Sequence, residues 1–204
     1  MQAISPTGEL VKNAGALSWS DVDSGEAALI ERCATGDQSA CAELVSAHQR
    51  MVFGLALHLL GDRDEALDVS QEVFLRVFRS LKRWDNTRPL RPWVLGIAVN
   101  RCKTRLARSG NRPKLVEDLS DAPAREPPRG DEAEVGAAIR VAVDTLRDDY
   151  RAVFVLFHEQ GRSYEEIAEA IDRPIGTIKT WLHRARAMIL DELKKRNLVS
   201  DTTT

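Results

Sequence analysis

The sequence is short of cysteine, of long apolar runs and of aromatic residues, and these shortages narrow the classes of protein it can encode. Its three cysteines, Cys33, Cys41 and Cys102, form no CxxC pair, and the four histidines do not cluster with them, which argues against a zinc site. No apolar run approaches the roughly 20 residues that cross a bilayer. Residues 1–19 have neither the basic nor the apolar segment of a secretory signal, so we expect a cytoplasmic protein.

In a reducing cytosol the three cysteines are expected to be small, partly buried core residues. Cys33 and Cys41 lie eight residues apart, close to two helical turns, so a redox switch between them is an open alternative. An enzyme acting on nucleic acid would need a metal cluster, a nucleophile with its base, or paired carboxylates in a pocket. The sequence shows none of these as a recognisable motif, and we therefore expect no catalytic residue, no metal and no cofactor.

Charge is distributed very unevenly along a chain whose net charge is only −2. Residues 1–75 carry 4 Lys or Arg against 12 Asp or Glu, whereas residues 76–108 carry 10 bases and one acid. A dense basic block with tryptophans at 84 and 93 suits a polyanionic partner such as nucleic acid. The alternative interpretation of this block is a solvated helix face.

Apolar residues at spacings of three and four predict four helices in the first half of the chain. They begin near Gly25 and then span about Gln38–Leu60, Arg63–Arg83 and Trp93–Arg108. The third helix is expected to bury Leu67, Phe74, Leu75, Phe78 and Leu81. In the fourth helix we expect Asn100, Arg101, Lys103, Arg105 and Arg108 to face outward. Two prolines and an Asp-Asn pair predict a loop over residues 84–92.

Two helical regions are predicted to be separated by a segment that cannot form a core. Residues 109–131 hold four of the eight prolines and many charges, which indicates a flexible linker. Residues 1–24 resemble a flexible leader, and residues 197–204 a tail. These predictions divide the chain into two small helical domains, residues 25–108 and 132–196.

The second domain has the layout of a helix-turn-helix. Ser163 and Glu166 fit a capping box at the start of a short helix, and the break at residues 172–174 precedes a longer helix from about Ile175 to Lys195. One face of that longer helix is apolar and should pack inward. Its opposite face carries donors that suit base edges and phosphates in a major groove. A helical hairpin that contacts no nucleic acid is the alternative.

Two separated blocks of sequence resemble conserved regions of one bacterial family. The string LGDRDEALDVSQEVFLRVF, followed by RPWVLGIAVNR, resembles the second conserved region of sigma factors of the sigma-70 family. The string LRDDYRAVFVLFHEQGRSYEEIAEAIDRPIGTIKTWLHRARAMI is similar to their fourth conserved region. With only these regions and a short linker, the chain looks like an extracytoplasmic-function (ECF) sigma factor. The resemblance implies an all-α fold with two small helical domains.

The resemblance also implies partners and site residues. The chain would bind core RNA polymerase, direct promoter-specific initiation, melt the −10 element and read the −35 element, with an anti-sigma factor as a further candidate partner and a monomeric free state. The clamp coiled coil of the largest polymerase subunit would contact Asp68, Gln71 and Glu72. The −10 element would contact Arg76, Ser80, Trp84, Arg88, Arg91, Leu95 and Asn100. The −35 element would contact Ser163, Tyr164, Thr177, Lys179, Thr180, His183 and Arg184.

Two residues depart from the family pattern. Trp181 stands where many members have Arg, and because an indole makes no bidentate phosphate or guanine contact, we expect it to pack or stack. Thr104 stands where many members have Asp, which should affect a structural contact more than function. An autonomous helix-turn-helix regulator is the competing function, although such proteins usually dimerise and no dimerisation segment is visible.

Overall fold

The structure is a computed structural model that describes residues 24–85, 88–109 and 131–199. The predicted leader, most of the predicted linker and the end of the predicted tail lie outside these residues. The helices are α1 (Ser24–Ala34), α2 (Gln38–Leu60), α3 (Arg63–Ser80), a 3₁₀ turn (Leu81–Arg83), α4 (Leu90–Ser109), α5 (Asp131–Asp144), α6 (Asp148–His158), α7 (Tyr164–Ile171) and α8 (Ile175–Lys195). The described part of the chain contains no strand, which confirms the all-α prediction.

Helices α1 to α4 form one group, and their ends follow local chemistry. Asp37 caps α2 by accepting hydrogen bonds from the backbone N–H groups of Ser39 and Ala40. Gly61 ends α2 in the left-handed conformation, with φ of 67°, and Asp62 then caps α3 through the N–H of Glu65. The predicted helix boundaries at Asp37 and at Gly61-Asp62 are therefore confirmed.

The buried face of α3 differs from the predicted one. Leu67 and Leu75 are 42% and 54% exposed, whereas Phe74, as predicted, and several small and β-branched residues form the buried face of this helix. The buried set comprises Ala66, Val69, Ser70, Val73, Phe74 and Val77. Apolar residues occur on both sides of α3, and the valine side fits the close contacts with α2 and α4. The prediction that Leu67 and Leu75 are buried is therefore wrong.

Helix α4 begins at Leu90, three residues before its predicted start at Trp93. The sequence predicts a loop at Pro92, but this residue lies in the first turn of α4, where a backbone N–H has no helical acceptor and proline is tolerated. Leu90 and Pro92 are both buried, so packing fixes this first turn. The loop between the 3₁₀ turn and α4 is correspondingly shorter than predicted.

Several basic residues of α4 that were expected to face outward form ion pairs instead. Arg101 pairs with Glu72 of α3, and Arg105 Nε lies 2.5 Å from Glu65 Oε2. Lys103 Nζ lies 2.6 Å from Asp149 Oδ1 of α6. Part of the basic block is therefore neutralised by the acidic helix that precedes it, and Asn100 and Arg108 remain exposed.

Helices α5 to α8 form the second group and contain the predicted helix-turn-helix. The Ser163 hydroxyl accepts from the Glu166 N–H, and the Glu166 carboxylate accepts from the Ser163 N–H, which confirms the capping box. Asp172 ends α7 in the left-handed conformation, with φ of 55°. The inward face of α8 comprises Ile178, Leu182, Ala185, Ile189 and Leu193.

The two helical groups pack on each other through α4 against α7 and α2 against α6. Arg151 of α6 is only 2% exposed and lies at this junction. Its Nε donates to the Val143 carbonyl at 3.1 Å, and its NH2 donates to the Asp144 carbonyl. Its NH1 lies 3.5 Å from the Leu59 carbonyl in the last turn of α2. One buried cation therefore faces the carboxyl-terminal ends of two helices, one in each group, where the helix dipole favours positive charge.

Cys33 and Cys41 are joined by a disulfide across the turn between α1 and α2, with Cα atoms 4.9 Å apart. The expectation of three reduced cysteines is therefore wrong for this pair, because the α1–α2 turn brings the two side chains together. Cys102 is free and wholly buried in α4, and burial raises the pKa of its thiol to about 12. This cysteine is a small core residue, as predicted.

His158 makes the stability of the folded chain sensitive to acid. His158 is exposed at the end of α6, but partial desolvation of its ring, and then the Arg186 cation whose Nε lies 3.1 Å from His158 Nε2, lower the pKa of this histidine from 6.5 to about 4. The unfolded chain binds more protons than the folded chain between these two values, so the free energy of unfolding should fall as pH drops through that window. We expect His158→Gln to reduce this slope in unfolding curves measured between pH 7 and pH 4. Identical slopes in the two proteins would contradict the assignment.

Candidate nucleic-acid interface

The amino-terminal half of α8 presents a polar face to solvent. Lys179, Thr180, His183 and Arg184 are all exposed, and their spacing of one, three and one residues puts them on the side opposite to the buried face. Thr177 is half-buried at the start of the same helix. The helix therefore offers two basic side chains, a hydroxyl and an imidazole over about two turns.

Aromatic and polar contacts hold this face in place. Lys179 Nζ lies 5.6 Å from the centre of the Tyr164 ring, and Tyr164 packs against Phe157 with ring centres 5.1 Å apart. Arg184 NH1 lies 3.3 Å from the Tyr150 hydroxyl. The Thr180 hydroxyl donates to the Gly176 carbonyl at 2.8 Å. Tyr164, a predicted contact residue in the first turn of α7, thus lies beside Lys179 of α8, and Ser163, the other predicted contact residue here, is the cap of α7.

Trp181 packs instead of reaching outward. Its ring centre lies 6.2 Å from that of Tyr150, and the Arg147 guanidinium lies 5.9 Å from the Trp181 ring. The expectation that this residue packs or stacks is confirmed. Thr104, the other departure from the family pattern, donates its hydroxyl to the Asn100 carbonyl of its own helix at 2.8 Å.

The residues predicted to contact the −10 element lie around the junction of α3, the 3₁₀ turn and α4. Arg76, Arg91 and Asn100 are exposed, and Ser80 and Trp84 are half-buried. The Trp84 Nε1 atom is buried, and among the residues that the structure describes it has no hydrogen-bond acceptor. Arg88 follows the turn and its Nε forms an ion pair with Glu169 Oε1 of α7 at 2.9 Å.

Leu95 does not share this surface. It is 0% exposed and belongs to the core between the helices, so it offers no area for a base in this conformation. Leu95 lies in the part of α4 that packs near α7, since its neighbour Gly96 meets the backbone of that helix. We treat Leu95 as a core residue, which corrects its predicted place in a base pocket.

The acidic half of α3 exposes two leucines beside the residues that the resemblance assigns to polymerase. Asp68 and Gln71 are exposed and Glu72 is half-buried, and the exposed Leu67 and Leu75 lie on the same side because the spacing is three or four residues. The sequence does contain a signal for the exposed leucines. Leu67 and Leu75 lie eight residues apart on one helical face, and the position between them, Gln71, is polar. Leu67 and Leu75 give this side of α3 an apolar component next to its acids.

No group of three or more metal-binding side chains occurs within residues 24–85, 88–109 and 131–199. A search of the helices in these ranges found none long and apolar enough to span a membrane.

Family comparisons agree with the geometry. Residues 44–112 match the family model for sigma-70 region 2, and residues 136–189 match that for sigma-70 region 4. The chain is 34% identical over 172 residues to the ECF RNA polymerase sigma factor SigE of Mycolicibacterium smegmatis, covering 80% of this chain and 66% of that relative's length. It is 32% identical over 182 residues to the ECF RNA polymerase sigma-E factor of Haemophilus influenzae, covering 82% and 94% of the two chains.

Solved structures show the same fold. CnrH, in complex with the cytosolic domain of CnrY, matches with a TM-score of 0.62 and 23% identity, covering 82% of this chain and 96% of that one. The sigma factor RpoE of Bartonella quintana, in complex with the anti-sigma factor NepR, matches with a TM-score of 0.59 and 22% identity, covering 75% and 96%. At these identities the likeness concerns the fold alone.

Two helical domains with these paired regions define a sigma factor. The chain belongs to the sigma-70 family, within its extracytoplasmic-function group. Proteins of this class are initiation factors and not enzymes: this chain binds RNA polymerase and directs promoter-specific transcription initiation.

Proposed function

We propose that the two domains divide promoter recognition between them, with residues 25–108 binding core polymerase and melting the −10 element and residues 132–196 reading the −35 element. The observation that carries this proposal is the exposed polar face of α8, held by Tyr164 and Tyr150 at the front of a capped helix-turn-helix. A protein of this kind works in the cytoplasm, where polymerase is.

The −35 assignment follows from the chemistry of that face. An arginine makes bidentate hydrogen bonds to guanine, a lysine contacts guanine or phosphate, and Thr and His add shorter polar contacts. Lys179 and Arg184 are the two cations on the exposed face of the first half of α8. We assign base or phosphate contacts to Lys179, Thr180, His183 and Arg184, and backbone contacts to Ser163, Tyr164 and Thr177.

The −10 assignment needs no nucleotide hydrolysis. An unstacked base costs a few kcal/mol, and stacking on an aromatic ring with phosphate contacts offsets that cost. Trp84 supplies a half-buried ring, and Arg76, Arg88 and Arg91 surround the turn that leads into α4. Asn100 is exposed on α4 and is the amide that would read a base edge.

We assign core polymerase to the stripe of α3 that joins Asp68, Gln71 and Glu72 with the two exposed leucines. Leu67 and Leu75 add apolar area that becomes buried on docking, while the acids favour a basic partner. The clamp coiled coil of the largest polymerase subunit is the partner that the family resemblance implies. An anti-sigma factor is a second candidate partner for these domains, as the structure of the sigma factor RpoE was solved in complex with the anti-sigma factor NepR.

Transcription in vitro with purified core polymerase tests the proposal. Added protein should give promoter-specific transcripts, and the free protein should bind promoter DNA weakly, because two weak modules gain affinity only when polymerase holds them at the right spacing. Tight promoter binding by the free protein with no transcript would instead favour an autonomous helix-turn-helix regulator.

The polymerase assignment predicts the effect of changing the acidic stripe. Gln71→Ala with Glu72→Lys should weaken binding to core polymerase about tenfold, roughly 1.4 kcal/mol, because a charge is reversed inside the interface. Fluorescence anisotropy with labelled protein and purified core polymerase measures this change. Gln49→Ala with Glu43→Lys is the matched control, since both residues are exposed on α2. Equal affinity of the two double variants would rule out this docking surface.

A further inference from the structure

The disulfide between Cys33 and Cys41 holds the first helix of the chain to the second. Within residues 25–34 of α1, only the side chains of Ile30 and Cys33 are buried. A helix of 11 residues is too short to be stable by itself, so α1 depends on its packing against the rest of the domain. A covalent bond at one of its two buried positions is therefore a large part of what fixes α1.

The compartment makes a permanent bond at this place unexpected. The function proposed above puts the chain in the cytoplasm, where thiols are kept reduced and a disulfide, when one is present, is usually transient and redox-sensing. Cys102 of the same domain shows the ordinary state, as a free and wholly buried thiol. The pair Cys33 and Cys41 therefore fits the class of disulfides that open and close.

The turn between α1 and α2 keeps the two cysteines together without the bond between their sulfur atoms. The Gly36 N–H donates to the Cys33 carbonyl at 3.1 Å, and the Asp37 N–H donates to the Arg32 carbonyl at 3.0 Å. Asp37 also caps α2, and its carboxylate accepts from Arg32 Nε at 2.9 Å. Because none of these contacts involves a sulfur atom, the two thiols stay close after reduction and the bond can form again.

The two sulfur atoms differ in access to a small oxidant. Cys41 is half-buried, whereas Cys33 is only 6% exposed, so hydrogen peroxide reaches Cys41 first. The Cys41 thiolate attacks one peroxide oxygen, the oxygen–oxygen bond breaks, and hydroxide leaves a sulfenic acid on the cysteine. The Cys33 thiolate then attacks this sulfur and displaces a second hydroxide, which closes the disulfide.

The closing step is balanced with peroxide as the oxidant. Two thiols and one peroxide give one disulfide and two waters: two electrons pass from sulfur to peroxide, and the two thiol protons pass to the hydroxides. A dithiol opens the bond by exchange, because its first thiolate attacks one sulfur and its second thiol resolves the mixed disulfide. The dithiol is oxidised, and its two protons end on Cys33 and Cys41.

Helix α1 also packs on the 3₁₀ turn (Leu81–Arg83) that joins α3 to the loop before α4. Leu81 of this turn is 3% exposed, and Trp84, which we assign to base capture, follows the turn directly. The order of α1 therefore bears on the turn that presents Trp84.

We propose that Cys33 and Cys41 form a reversible redox switch, which peroxide closes and a dithiol opens, and that closing it fixes α1 against the 3₁₀ turn and orders the surface assigned to the −10 element. The inference rests on the proposed function of that surface and on the cytoplasmic location. An ordered surface binds more tightly, because less conformational freedom is lost on binding. The oxidised chain is therefore the form with the higher affinity for promoter DNA.

Thiol labelling of the whole chain tests the bond. The reduced chain is exposed to hydrogen peroxide, quenched, unfolded and alkylated for mass spectrometry. Peroxide should lower the labelling of Cys33 and Cys41 at least about tenfold and leave Cys102 labelled, and thioredoxin, a dithiol protein, should restore the labelling when it is added to the folded chain. Labelling that peroxide leaves unchanged would overturn the site. A bond that thioredoxin does not open would be a permanent structural disulfide and would overturn the switch.

Amide hydrogen exchange of the same samples tests the effect on α1. Peptides covering residues 25–34 and 81–84 should exchange about tenfold more slowly in the oxidised chain than in the reduced one. Cys41→Ser is the matched control, and in the same peroxide it should keep the exchange rates of the reduced wild type. This control also removes the effect of methionine oxidation, since Met188 is 43% exposed. Equal exchange in the two states of the wild type would overturn the role of the bond in fixing α1.

Promoter binding tests the last step, with each form of the chain added to untreated core polymerase. If the reduced chain holds the ordered surface about one third of the time, closing the bond raises the apparent affinity about threefold. Cys41→Ser should show no difference between treated and untreated samples. Equal affinity of the two wild-type forms, with the exchange difference intact, would overturn the link to the −10 surface. A wrong −10 assignment is distinguishable from this outcome, because Trp84→Ala would then leave promoter binding unchanged in both redox states.

Discussion

Replacing Arg151 with methionine should lower the free energy of unfolding by about 3 kcal/mol, because it leaves buried and part-buried carbonyls without their donor. The guanidinium donates to the carbonyls of Val143 and Asp144 at the end of α5 and lies 3.5 Å from those of Leu146 and Leu59. Methionine retains much of the apolar volume but supplies no hydrogen bond. The loss is large beside a typical stability of about 5–15 kcal/mol.

Urea and thermal unfolding followed by circular dichroism measure this loss. For a chain of this size about 3 kcal/mol corresponds to a fall in melting temperature of roughly 6–12 °C. Arg50→Met is the matched control, because Arg50 is exposed on α2 and such surface changes stay within about 0.5 kcal/mol. Equal melting temperatures for the two methionine variants would show that the four carbonyls find other donors.

The burial of Arg151 shows where sequence reasoning reaches its limit. Arginine is among the residues least often buried, and nothing in the local pattern of α6 distinguishes Arg151 from an exposed base. Its acceptors include the carbonyl of Leu59, 92 residues earlier in the chain. The ends of helices were predictable for the opposite reason, since the caps at Asp37, Gly61 and Ser163 depend on neighbours within four residues.

The candidate site also has one part that could be predicted from the sequence and one part that could not. The polar face of α8 was predictable because helical periodicity alone sets which residues oppose the core. The surroundings of Arg88 and Asn100 were not predictable, because they depend on how two domains meet. The resemblance implies that Leu95 lines a base pocket. In this conformation Leu95 is fully buried and offers no surface to a base.

The change from an acidic to a basic sequence near residue 76 places opposite charges on α3 and α4, and composition alone did not show that these charges pair. Arg101 and Arg105 of α4 pair with Glu72, Glu65 and Asp68 of α3, across 29 to 40 residues of sequence. These partly exposed pairs contribute little stability individually. They engage acids of the stripe on α3, whereas Arg76 and Arg91 remain exposed.

Replacing both Lys179 and Arg184 with alanine should abolish −35 recognition and leave core binding intact. A bidentate arginine contact is worth about 1–3 kcal/mol of base discrimination, so we expect a loss of roughly 10–100-fold in promoter-selective binding by the holoenzyme. If one of the two cations contacts phosphate, the slope of log affinity against log salt should also fall by about 1.

Lys195→Ala with Arg196→Ala is the matched control for this double variant. It removes the same charge near the other end of α8, about 24 Å from Lys179 at 1.5 Å per residue. Both side chains there pair with Glu192 through exposed contacts. Promoter binding by holoenzyme, core binding in a pull-down and the thermal unfolding of each variant are measured together. Unfolding also reports any cost of losing the contact between Arg184 and the Tyr150 hydroxyl. Parallel loss of promoter and core binding would contradict the separation of the two surfaces, whereas loss of promoter binding alone places −35 recognition on the exposed face of α8.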